Sequence, residues 1–235
     1  MRVQVIQHVL FERPGLITQW AQERGHGLAV TRAWRDEFPA VGEADLLIVL
    51  GGPMGALDDE AFPWLTAEKH YLARVIADGL PVLGVCLGAQ ILATVIGGTV
   101  RRNRELEIGW YPVNRTPEGE TSPFGAWPTP VTVGHWHGDT FELPDGIQPL
   151  LASSACRNQA FVFDERVVGL QFHLEWTPEL MADMVRECAD ELVDSGPSTM
   201  SAEDLIAGVT EHGDGCRSLL FGLLDELARL ERPVV

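Results

Sequence analysis

Apolar and polar positions change period several times along the chain. "RVQVIQHV" at the N-terminus is rich in β-branched residues and predicts a strand. Residues 14–24 take helical spacing, with Leu16, Ile17 and Trp20 on one face. "GLAVTRAW" reads as a second strand. "ADLLIVL" is continuously apolar, the pattern of a strand in a sheet covered by helices on both faces. A Gly/Pro loop, "GGPMGALDD", precedes a helix around 64–78 and a further apolar strand, "LPVLGV". "LGAQILATVI" then reads as the start of a helix. Short buried strands with helical connections predict a parallel α/β sheet.

The pattern changes between about 98 and 172. "TVRRN", "EIGWYPV", "TPVTVGHW", "PLLASS", "QAFVF" and "RVVGLQF" read as separate short strands between Pro/Gly turns, with no helix among them. A helix is predicted near 177–194, followed by "SGPSTMS" as a linker. Ser201 with Asp204 forms an N-cap signature for one further helix, and a last amphipathic helix is predicted over roughly 216–230. The expected fold is α/β and three-layered: a mostly parallel central sheet with flanking helices over residues 1–195, and a helical extension over 196–235. The extension's helices are expected to pack on the domain or on a second copy of it, which would make a homodimer.

Composition narrows the function. A formal charge of −17 on 235 residues argues against general affinity for nucleic acid or anionic membrane. No apolar run approaches the ~18 residues that cross a bilayer, and the N-terminus enters a strand pattern without a cleavage site. Cys86, Cys156, Cys188 and Cys216 are widely spaced and form no CxxC pair, which suits a reducing, cytoplasmic setting. "RRNR" at 101–104 is the one basic cluster and reads as a solvated strand end.

The candidate chemistry centres on Cys86. It lies at a strand-to-helix junction with Gly84 two residues before and Gly88 two after, the thiol version of the G-x-S-x-G nucleophile elbow. The tight turn lifts the nucleophile out of the sheet and places it at a helix N-terminus, where free N–H groups favour a thiolate. With 24 glycines in the chain, four cysteines would meet this pattern by chance about 0.04 times, so the flanking strand and helix carry much of the weight. The competing reading is a small buried hydrophobe. A nucleophilic thiol needs a base and a group to orient that base. His173 and Glu175 in "QFHLEW" stand two apart at the end of an apolar strand, and period-two geometry places them on one face. A rival metal site would combine His135, His137 and Asp139 of "HWHGD" with His173 and Glu175.

"GVCLGAQ" resembles the nucleophile segment of class I, triad-type glutamine amidotransferases, and "QFHLE" resembles their His-x-Glu segment. "VLGGPMGALDD", "HWHGDTFELPDG" and "NQAF" extend the likeness over about residues 1–190, closest to stand-alone proteins similar to the glutaminase domain of GMP synthase. The resemblance implies a flavodoxin-like fold and no cofactor. It implies hydrolysis of the glutamine γ-amide through a thioester on Cys86, with His173 as general base and acid and Glu175 as the orienting carboxylate. The oxyanion hole would be the N–H groups of Leu87 and Gly52. Gln90 would hold the amino-acid end of the substrate, and His135, Trp136 and His137 would form a substrate-side wall without a metal. Released ammonia would pass to a synthetase subunit in trans. The alternatives are a stand-alone hydrolase or peptidase acting on a γ-glutamyl compound, and a regulatory relative without catalysis, which the intact Cys86, His173 and Glu175 weigh against. One position departs from the usual His-Pro-Glu: Leu174 replaces proline. Proline there is expected to be tolerated if the N–H of residue 174 is unpaired.

Overall fold

The computed structural model describes residues 1–193 and 196–230. The first half runs β1 (Arg2–Gln7), α1 (Leu16–Glu23), β2 (Gly27–Arg32), β3 (Leu46–Val49), α2 (Trp64–Ala77), β4 (Val82–Val85) and α3 (Leu87–Val95). The second half runs β5 (Thr99–Arg115), β6 (Val131–Glu142), β7 (Leu151–Ala152), β8 (Ala160–Phe163), β9 (Val167–Leu170), α4 (Pro178–Glu187) and α5 (Ala202–Leu227). All nine strands join one sheet in the order β2-β1-β3-β4-β9-β8-β7-β5-β6. The five strands from β2 to β9 pair in parallel. The other four pair antiparallel and extend the sheet beyond β9. The sheet is therefore mixed: its parallel half is the one expected, and the antiparallel half is built from the short strands of the chain's middle.

Strand alternation explains why the inner parallel strands β3, β4 and β9 carry no polar positions. Val3, Val5, Leu46 and Ile48 enter one hydrophobic cluster with Ile17 and Trp20 of α1 and Leu205 to Leu227 of α5. Ile6, Leu47 and Val49 enter a second cluster with Leu72 of α2 and Ile91 and Leu92 of α3. Successive side chains point to opposite faces, and both faces are covered, so every position of β3, β4 and β9 is apolar. Toward the sheet edge, β1 and β2 admit Gln4 and Thr31, which bond each other at 3.0 Å. Trp20 is fully buried in the first cluster, where losing its ring would cost roughly 3–5 kcal/mol. Its indole Nε1 also donates to Asp225 at 2.8 Å, tying α1 to α5.

Several elements differ from the pattern-based expectation. "TVRRN" and "EIGWYPV" are one long strand, β5, whose register against β6 shifts between Arg102 and Glu107. That irregularity absorbs the polar residues that made the strand look like two. The helix expected over 177–194 ends at Glu187 and continues as a 3-10 turn, Ala189–Leu192. A second 3-10 turn, Pro117–Thr121, occupies a stretch in which no helix was expected. Of "SGPSTMS", Ser195 lies outside the described residues. Ser198 and Met200 of the same stretch exchange backbone hydrogen bonds with Ile108 at 2.9 and 2.8 Å, so this part is seated on β5. The two helices expected past residue 195 are one, α5, running through Gly208, Gly213 and Gly215. At Gly208 a methyl group would overlap the Trp110 ring, so glycine there permits close packing and does not end the helix.

Ser201 caps α5 as expected, its Oγ accepting from the Asp204 N–H at 3.1 Å. Ser201→Ala is expected to cost about 1 kcal/mol, read as a lower denaturant midpoint at unchanged slope.

Candidate functional site

Cys86 occupies the single residue between β4 and α3 and holds φ 51°, ψ −109°. A non-glycine residue with positive φ is strained, and the surroundings must enforce it. They do so on both sides. The Cys86 N–H donates to the Leu170 carbonyl at 2.7 Å, and the Gly88 N–H donates to the Leu50 carbonyl at 3.1 Å. A side chain at Gly88 would overlap the Val49 carbonyl, so glycine lets α3 start directly against β3. The Leu87 N–H, free at the helix N-terminus, points to the Cys86 sulfur and favours its thiolate. Burial works against it and is the larger effect, so the thiol sits above its ordinary range, while His173 pulls it down.

His173 lies beyond β9, which ends at Leu170; the triad candidates are therefore not on the strand itself. Instead, the His173 backbone bridges Gly134 of β6, with N–H···O distances of 2.7 and 3.3 Å. Side chains still converge: His173 Nδ1 is 2.6 Å from Glu175 Oε1. The other Glu175 oxygen accepts the Leu174 N–H at 3.0 Å, and the Glu175 carbonyl accepts the first N–H of α1, from Leu16, at 2.9 Å. The Trp176 ring stacks on the imidazole at 4.4 Å and 15°. Trp110 meets Trp176 edge-on at 5.6 Å and donates its indole N–H to the Leu205 carbonyl of α5 at 2.9 Å. Burial opposes a charged imidazole, but the Glu175 carboxylate and the Cys86 sulfur overcome it and hold the His173 pKa well above the ordinary value. Its Nε2 has no hydrogen-bond partner among the described residues. The arrangement is a buried thiol beside an imidazole whose free nitrogen can take a proton.

An open cavity reaches Cys86 and His173, and Gly52, Leu87, Gln90, Trp136 and His137 also line it. Gln90 is buried, donating to the Asp139 carbonyl at 3.3 Å and to Gln171 Oε1 at 3.2 Å. The Cys86 thiol approaches the Trp136 carbonyl at 3.6 Å. His135 does not line the cavity. It is fully buried behind His137, and both imidazoles face Glu107, at 3.5 and 3.0 Å. The expected grouping of His135, His137 and Asp139 with His173 and Glu175 therefore does not assemble. The ligand-type atoms that come together are those of Glu107, His135 and His137, within 4.8 Å of one another. His137 has both ring nitrogens against acceptors, Glu107 at 3.0 Å and the Asp139 carbonyl at 3.0 Å. Burial lowers the His135 pKa to about 4 despite the nearby carboxylate. "RRNR" is exposed as expected, but Arg102 also borders the cavity and pairs with Asp139 at 3.3 Å.

Pattern reading missed Glu12, Glu191 and Gln171. Glu12 follows β1 with no motif around it, and Glu191 lies in the 3-10 turn after α4; both line the cavity. The Trp136 indole donates to Glu191 at 3.1 Å. Burial raises the Glu12 pKa to about 7; His173 opposes that shift and Glu175 reinforces it. Only the tertiary structure brings these acids to the thiol, so no local signal could have found them.

A family model described as glutamine amidotransferase class-I matches residues 16–192. The chain is 34% identical over 201 residues to the glutamine amidotransferase-like protein YfeJ of Salmonella typhimurium, covering 83% of this chain and 84% of that one. It is 33% identical over 131 residues to the glutamine-hydrolyzing GMP synthase of Listeria monocytogenes, covering 55% of this chain but only 24% of that enzyme. A solved glutamine amidotransferase from Thermotoga maritima superposes with a TM-score of 0.90 at 30% identity, covering 98% of this chain and 99% of that one. The chain belongs to the class I glutamine amidotransferase family.

Two predictions follow from the geometry. Ionised Glu12 raises the Cys86 pKa, so Glu12→Gln should shift the pH profile of Cys86 alkylation to lower pH. The native fold resists ionising Glu12, so stability is lost as pH rises from the ordinary carboxylate range through about 7. The melting temperature of Glu12→Gln should therefore gain on wild type between pH 5 and 8, by the several degrees that roughly 2–3 kcal/mol produces. Secondly, the N–H of Leu174 is not unpaired, so the condition for a tolerated proline fails. Leu174→Pro removes a hydrogen bond to the Glu175 carboxylate and should lower both the melting temperature and Cys86 reactivity at neutral pH, by about 1.5–3 kcal/mol in stability.

Proposed function

We propose that the protein hydrolyses the γ-amide of glutamine, or of a γ-glutamyl compound, through a thioester on Cys86. The observation that carries this reading is the buried Cys86 thiol at positive φ, facing an imidazole that is itself tied to Glu175 at 2.6 Å. Family membership supports glutamine as the substrate class. Cys86 passes its proton to His173 Nε2 as sulfur attacks the γ-carbonyl carbon. The carbonyl oxygen takes the negative charge, facing the N–H groups of Leu87 and Gly52. His173 returns the proton to the leaving nitrogen as the C–N bond breaks. Water then attacks the thioester, with His173 taking its proton; the C–S bond breaks, His173 returns the proton to the Cys86 sulfur, and glutamate leaves. Glu175 keeps the imidazole in one tautomer and stabilises its charged form. Gln90 and the Trp136–His137 wall hold the substrate's amino-acid end. Ammonia passes to an acceptor enzyme in trans.

The test is release of ammonia from glutamine, and of amine from γ-glutamyl amides, by the purified protein. Cys86→Ser should abolish turnover in a folded protein. Glu175→Gln should lower kcat by up to ~10⁴-fold and His173→Ala by at least as much. The double variant should lose no more than the worse single one, because the residues act as a unit. A glutamine-derived chloroketone should label Cys86 and spare Cys188, which also borders the cavity but has its pKa pushed up to about 12 by burial and Glu191. A folded Glu175→Gln variant within a few-fold of wild type would remove Glu175 from this role.

A further inference from the structure

His8 and Glu68 form a buried polar pair for which the chemistry above has no use. Both side chains are fully inaccessible. His8 follows β1 directly, and Glu68 comes from α2. His8 Nε2 lies 3.0 and 3.1 Å from the two Glu68 oxygens, and the Trp64 ring stacks on the imidazole at 5.6 Å. The remaining nitrogen, Nδ1, lies 2.9 Å from the Gly51 carbonyl oxygen. A carbonyl only accepts, so Nδ1 carries a hydrogen and donates it. Burying such a pair is costly, and an apolar pair of equal volume would serve the β1–α2 contact at least as well. Packing alone therefore gives little reason for it.

The Gly51–Gly52 peptide supplies a reason. It is trans, so its C=O and N–H point to opposite sides. His8 holds the carbonyl on the α2 side, which turns the Gly52 N–H the other way. Gly52 lines the cavity beside Cys86 and Leu87, and a methyl group built on it would lie 2.9 Å from Leu87 Cδ2. Among the described residues the Gly52 N–H donates to no group. Two adjacent glycines give the backbone wide freedom. A rotation of this peptide would present a carbonyl oxygen, and not an N–H, where negative charge develops. We infer that His8, anchored by Glu68, is a positioning residue that locks the Gly51–Gly52 peptide with its N–H aimed at the oxyanion. The inference rests on the reading of Cys86 as the nucleophile and Gly52 as an oxyanion donor.

Two isosteres separate this role from packing. Asparagine places an amide N–H where His8 has Nδ1, so His8→Asn keeps the donor to Gly51. Glutamine places it where His8 has Nε2, so His8→Gln keeps the contact to Glu68 and abandons Gly51. His8→Gln should lose about 10²–10³-fold in kcat with KM within a few-fold, the cost of one oxyanion donor. His8→Asn should stay within about tenfold of wild type. Alkylation of Cys86 by iodoacetamide forms no oxyanion, so its rate should be equal in wild type and both variants. If His8→Gln does not fold, Glu68→Gln loosens the anchor while keeping its volume, and a fall of about tenfold in kcat at constant alkylation rate is expected. Equal losses in the Asn and Gln variants, a loss below threefold in folded His8→Gln, or an alkylation rate that falls with kcat would each overturn the inference. Wild-type Cys86 that neither alkylates nor turns over would overturn the nucleophile reading, and this one with it. An active wild type with an indifferent His8→Gln overturns this one alone.

Discussion

One residue separates β4 from α3, and the rest of the site is arranged around the backbone that this requires. Cys86 can hold φ 51° only because its N–H is bonded to Leu170 and the following helix is pressed against the end of β3 through Gly88. A cysteine elsewhere in this sheet would be one more buried thiol. Here the same strain that makes the conformation unfavourable projects sulfur into the cavity and leaves a helix N-terminal N–H pointing at it. Cys156, Cys188 and Cys216 are buried thiols as well, and burial raises the pKa of all four; Cys86 differs in having His173 and the Leu87 N–H pulling the other way.

The imidazole depends on distant parts of the chain. His173 is fixed in plane by Trp176, Trp176 is met by Trp110, and Trp110 is bonded to α5. Gly134 carries the backbone bridge to His173, and a side chain there would overlap Trp176. Glu175 is held through its carbonyl by the start of α1 and through its carboxylate by the Leu174 N–H. The C-terminal helix thus does more than cover one face of the sheet, since loosening it would free the stack that sets the imidazole plane. Leu174 in place of proline belongs to the same bracing, because the N–H that proline lacks is used.

Charge in the cavity opposes the thiolate as well as supporting it. Glu12 and Glu191 border the cavity that Cys86 reaches, and burial raises the Glu12 pKa to about 7. His173 and the Leu87 N–H act in the other direction.

The apolar runs, the Gly-x-Cys-x-Gly turn and the His-x-Glu pair were legible from the chain because each is a local pattern with a local cause. Strand alternation between two covered faces produces unbroken apolar runs, and a one-residue turn between strand and helix demands small neighbours. The joining of β5 into one strand, the merging of the two C-terminal helices into α5, and the withdrawal of His135 behind His137 were not legible. A bulge can absorb polar residues, and a glycine can serve helix packing as readily as helix termination; only the neighbours decide. Glu12, Glu191, His8 and Glu68 carry no motif at all. Their environment is created by contacts between segments far apart in sequence, such as β1 with α2 and the β3 loop, and it is those contacts that set burial, hydrogen bonding and charge. The sequence by itself determined which groups could do chemistry; the tertiary structure decided which of them share a cavity, because desolvation and proximity are properties of the folded packing and of no single segment.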